Sequence, residues 1–99
     1  MAGYLVAHLE ITDPEAFKAY QVAVPPVIAK FGGRYLVRGG AIDAVEGDWP
    51  APRLVILAFD STDQARRFYD SPAYQEILPL RLAASTARLA IVEGIEGGG

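Results

Sequence analysis

The chain has 99 residues, no cysteine, nine Lys and Arg against twelve Asp and Glu, and a net charge of −3. That length suits one domain, the acidic balance without a basic run argues against nucleic-acid binding, and the missing thiols exclude disulfide and thiolate chemistry. The hydrophobic share of 52% is high for so short a chain and implies that part of the surface is covered in an oligomer.

Tyr4 to Ile11 reads as a strand, with Leu5, Ala7, Leu9 and Ile11 on one phase and Tyr4, Val6, His8 and Glu10 on the other. A helix start follows, from Asp13 capping with Pro14 at the first helical position or from a Thr12–Glu15 capping box. The apolar stripe Phe17, Tyr20, Val24, Val27, Ile28, Phe31 has helical spacing. Pro25-Pro26 interrupts it, which predicts a kink or two abutting helices, and Gly32-Gly33 predicts a left-handed cap. Arg34 to Arg38 is a second strand, Gly39-Gly40 a bulge or bend, and Ala41 to Val45 a continuation of that strand. Glu46-Gly47-Asp48 turns the chain and Trp49 to Pro52 keeps it irregular.

Arg53 to Phe59 is the most apolar strand and the expected sheet centre. Ser61-Thr62-Asp63-Gln64 opens a helix as a capping box with Ala65, Phe68 and Tyr69 on one face. Ser71 caps another beginning at Pro72, with Tyr74, Ile77 and Leu78 inward, and Pro79 limits or restarts it. Ala87 to Glu93 is the last strand. The order β-α-β-β-α-β is the split βαβ arrangement, an α+β, ferredoxin-like antiparallel sheet with helices on one face. Both phases of its strands carry apolar residues, such as Val6, Val37, Ile56 and Val92, so the other face is expected to be covered by a second subunit in a homodimer. The domain spans residues 1–94, and residues 95–99 read as a flexible glycine-rich tail. No basic leader or span of about 20 apolar residues is present, so a cytoplasmic location without a membrane partner is expected.

The chain resembles domain-of-unknown-function family 1330, within the dimeric α/β-barrel group. The resemblance rests on Asp13-Pro14-Glu15 with Tyr20, on Gly33-Arg34-Tyr35-Leu36-Val37-Arg38-Gly39-Gly40, and on Glu46-Gly47-Asp48-Trp49, Arg53 and Phe59. It continues through Phe68-Tyr69-Asp70-Ser71-Pro72-Ala73-Tyr74, Arg81 and Val92-Glu93-Gly94. Phe68 stands where the family more often has Trp, which implies a packing change. The resemblance implies a ferredoxin-like fold and a barrel-forming dimer, but no agreed activity.

His8, the sole histidine, lies on the strand phase assigned to the barrel interior. It reads as a general base or proton shuttle, or as a hydrogen-bonded strand residue at a subunit contact. One His without Cys lacks the clustering that zinc or iron needs, so neither metal nor cofactor is expected. Arg38 and Arg53 can clamp a carboxylate bidentately, or pair with Asp43, Glu46 or Asp48 to hold the long loop. Trp49, Tyr69 and Tyr74 can line a pocket with polar tips, while Tyr69 to Pro72 equally reads as a helix junction capped by Ser71. Two functions fit: a small dimeric protein with a pocket for a small organic, anionic ligand, or a cofactor-independent monooxygenase- or isomerase-like enzyme using His8 as base. The second is what the resemblance to the superfamily implies.

Overall fold

Period-2 alternation sets the first element. In the computed structural model, which describes residues 1–49 and 52–95, β1 runs Gly3–Ile11 with Leu5, Ala7 and Leu9 buried and Tyr4, Val6 and His8 partly covered. The expected tail lies, from Glu96 onward, outside the described residues, as do Pro50 and Ala51.

Asp13 then caps α1 (Pro14–Lys30), its carboxylate accepting from Ala16 N at 3.1 Å. Of the kink or two abutting helices expected at Pro25-Pro26, the second does not occur. One helix contains both prolines, and Phe17, Val24 and Ile28 on its two halves are all buried in one core. Shared burial on both sides of the prolines outweighs the missing N–H donors. Gly32, at φ 74°, ends it.

β2 (Arg34–Arg38) does not continue through Ala41 to Val45, which form no strand. Gly39 takes φ 72° and its N–H donates to Leu54 O, so the chain turns out of the sheet there. The bulge lies earlier, between Tyr35 and Val37. β3 (Arg53–Phe59) follows the long loop.

Ser61 caps α2 (Thr62–Asp70) by accepting from Gln64 N at 3.0 Å. The reciprocal half of the expected capping box is absent, because the Gln64 side chain donates to Phe31 O at 2.8 Å and ties α2 to the end of α1. Ser71 accepts from Tyr74 N and donates to Phe68 O, joining α2 to α3 (Pro72–Ala84), which runs unbroken through Pro79. β4 (Ser85–Glu93) completes the chain.

The four strands form one antiparallel sheet in the order β2-β3-β1-β4, so β1 and β3 are central. All three helices pack on the face carrying Leu5, Ala7, Leu9, Leu57 and Phe59. This is the ferredoxin-like α+β fold. The opposite face, with Val6, His8, Ile56, Arg88 and Val92 in register, meets no helix.

Candidate functional site

The site lies between helices and sheet. A cavity of about 60 Å³ is lined by apolar side chains of β1, β3 and α1 and by one concentrated set of polar ones: Tyr20 and Gln21 from α1, Tyr35 and Arg38 from β2, Arg53 from β3, and Tyr74 and Arg81 from α3. Among the described residues, three guanidinium groups and three phenols face this space and no carboxylate lines it. At this size it suits a ligand of a few heavy atoms, since one water takes roughly 10–15 Å³ of such space.

Each polar residue arrives there for a local reason. Tyr74 and Arg81 are seven apart on α3, two helical turns, and therefore share its inner face. Arg81 is only 5% exposed. Its Nε donates to Tyr74 Oη at 3.2 Å, and Tyr74 Oη is 2.9 Å from Tyr20 Oη. Arg38 owes its position to the β2 bulge. Unbroken alternation would set it on the face of Arg34, but the register pairs Tyr35 with Leu57 and Arg38 with Val55, both helix-facing. Its guanidinium sits 4.5 Å over the Tyr35 ring. Arg53 lies against Gly39, where any Cβ would collide with Nη1, and its buried Nε has no hydrogen-bond partner among the described residues.

The electrostatics follow. Burial pushes the Tyr20 phenol far above the usual tyrosine value, with the neighbouring Tyr74 adding to the shift and Arg81 opposing it. Burial also raises Tyr35, against the lowering pull of Arg38 and Arg53. Both stay protonated donors at neutral pH. Among the described residues the ion pairs are Lys18–Glu15 and Arg66–Asp70, both on the surface. The loop-fixing pairs with Asp43, Glu46 or Asp48 therefore do not form within 4.0 Å of Arg38 or Arg53, and Arg81 has no counter-ion either.

The sequence candidates separate. Arg38, Arg53 and Tyr74 meet at the cavity. His8 does not join them: it points from β1 to the helix-free face, where Trp49 covers it with ring centroids 5.4 Å apart and its buried Nδ1 has no partner among the described residues. The sheet therefore stands between His8 and the pair Arg38 and Arg53. Glu46 is exposed on the loop. Tyr69 packs its ring 5.3 Å from Tyr74, behind the cavity rather than in it, in the helix junction that Ser71 caps. Sequence reasoning passed over Tyr20, Tyr35 and Arg81 as site residues. The signal for Arg81 was a lone cation within Ile77-Leu78-Pro79-Leu80-Arg81-Leu82 at helical spacing from inward Tyr74.

Solved structures share this architecture. A protein of unknown function from Rhodopseudomonas palustris is 19% identical, with a TM-score of 0.77 over 96% of this chain and 83% of that one. A dimeric ferredoxin-like protein of unknown function from Thermobifida fusca is 16% identical, with a TM-score of 0.64 over 94% and 91%. SnoaB, a cofactor-independent oxygenase from Streptomyces nogalater, is 14% identical, with a TM-score of 0.61 over 98% and 96%. At these identities the likeness is one of fold. No curated protein matches the chain. Residues 2–95 match the family described as Domain of unknown function (DUF1330), and the chain belongs to it.

Proposed function

We propose that this protein is a dimeric binder of a small organic anion, held in the cavity between helices and sheet. The observation that carries this reading is Arg81, a buried guanidinium whose only side-chain hydrogen bond is to a neutral phenol and which has no carboxylate within reach among the described residues. A buried cation is normally paired, and a planar fork left unpaired beside a cavity matches a carboxylate. Arg38 and Arg53 add positive charge from the opposite wall, and the apolar remainder takes a short carbon skeleton.

The test is calorimetric titration with short carboxylates at millimolar concentration. Saturable binding by the wild-type chain, weakened at least about tenfold in Arg81→Met, is expected. No saturable binding, or binding indifferent to Arg81, would refute the proposal. The oxygenase likeness gives His8 no support as a base for this cavity, because His8 stands on the other face of the sheet.

The dimer is supported by the helix-free face. Leu36, Trp49 and Val92 are exposed large apolar residues, Val6 and Ile56 lie beside one another on it, and the orphaned His8 Nδ1 needs a partner. A two-fold copy covers such a patch with itself.

A further inference from the structure

We propose that the ligand is a short 2-oxo acid, its carboxylate on Arg81 and its oxo oxygen on the hydroxyl of Tyr20. This rests on the anion-binding reading above and names the ligand class of that same cavity.

The argument is one of hydrogen-bond direction. Tyr74 is 1% exposed, so its hydroxyl proton must find an acceptor inside the protein. Arg81 Nε has no lone pair to offer and donates to Tyr74 Oη. The partner left within reach of the Tyr74 proton is Tyr20 Oη, at 2.9 Å. Tyr74 therefore donates to Tyr20, and the Tyr20 proton is left free at the cavity wall. The reverse orientation would orphan a buried hydroxyl. The result is a directed chain, Arg81 to Tyr74 to Tyr20, in which each donor polarises the next.

Burial keeps Tyr20 protonated and so a donor, never an acceptor of charge, at neutral pH. The cavity thus presents two adjacent demands. Arg81 engages both oxygens of a carboxylate through its fork, and Tyr20 offers its proton to a further oxygen beside them. Both residues lie about 3 Å from the same Tyr74 oxygen, so the two ligand functions must be neighbours on a short skeleton. A carboxylate with a carbonyl on the next carbon satisfies both. The small cavity volume excludes a long chain.

The experiment compares pyruvate with propanoate, which lacks only the oxo oxygen, by calorimetry on the wild-type chain and on Tyr20→Phe. Pyruvate is expected to bind about tenfold tighter than propanoate, the worth of roughly one hydrogen bond. That preference should vanish in Tyr20→Phe. Should Tyr20→Phe fail to fold, the ¹³C resonance of [2-¹³C]pyruvate on the wild-type protein gives the second readout, with a downfield shift of the carbonyl expected on binding. Equal affinities for the two acids in the wild type, an unshifted carbonyl, or a preference that survives Tyr20→Phe would overturn the ligand class and leave the anion site standing. Failure of both acids to bind would overturn the site and this inference together.

Discussion

Arg81 carries a charge out of water with a phenol, not a carboxylate, as its neighbour. Holding an unpaired buried cation costs stability, and an apolar side chain of similar length removes that cost. Arg81→Met is therefore expected to melt at or above the wild-type temperature in the ligand-free state while anion binding falls. A marked loss of melting temperature would mean that the guanidinium holds the fold rather than a ligand. The phenols beside it make a separate prediction. Burial raises Tyr20 and Tyr35 above their ordinary value near 10, so above that pH the unfolded chain releases protons that the folded state keeps. The stability these buried neutral phenols contribute is complete below about pH 10 and is lost as pH rises beyond it. Urea midpoints should hold steady to about pH 9, fall above about pH 10, and fall less in Tyr20→Phe. A flat profile through about pH 11 would contradict the assigned burial.

The helix junction shows how little sequence is needed to fix an element boundary. Ser71 accepts from Tyr74 N at 3.1 Å and donates to Phe68 O at 2.8 Å, so one hydroxyl ends α2 and begins α3. Ser71→Ala should cost about 1 kcal/mol, nearer 2 because the site is buried. Chemical denaturation measures it, and a loss below about 0.3 kcal/mol would show that the cap is dispensable. The same junction sets Tyr74 at the start of α3, so the cap also positions the relay to Tyr20. Other elements needed the fold to be understood. The bulge between Tyr35 and Val37 has no glycine or proline to announce it, yet it turns Arg38 from the face of Arg34 to the cavity. The Gln64 side chain turns instead to a carbonyl 33 residues away in sequence, donating through Nε2 to Phe31 O.

At the scale of the molecule the sheet is dressed on one side. Helices cover Leu5, Leu57 and Phe59, whereas Val6, Ile56 and Val92 meet none. Dimerisation through this second face predicts that light scattering across a dilution series gives twice the 10.6 kDa chain mass. It also predicts that Ile56→Lys dissociates or unfolds the protein. A folded 10.6 kDa species at micromolar concentration, or an Ile56→Lys chain indistinguishable from wild type, would refute the dimer. Because the ligand cavity lies on the helix side, a monomerising substitution that still folds should retain anion binding.

The sequence by itself determined the seven elements, their order, most of their caps and the antiparallel α+β class. These depend on interactions within a few residues: alternation of period 2, stripes of period 3.6, and Asp13, Ser61 and Ser71 each reaching a backbone N–H three residues on. It also offered Arg38 and Arg53 as a carboxylate clamp or as loop-fixing pairs, and Tyr74 as a pocket-lining residue or part of a helix junction. Alternation distinguishes two faces of a strand without saying which will meet the helices, so His8 and the arginines could be assigned to one site until the sheet was seen to separate them. The tertiary structure alone decided that Tyr20 meets Tyr74 across 54 residues of chain, and that Arg81 is buried beside them without a counter-ion among the described residues. Such a meeting is set by the packing of α1 on α3, not by the spacing of residues along either helix.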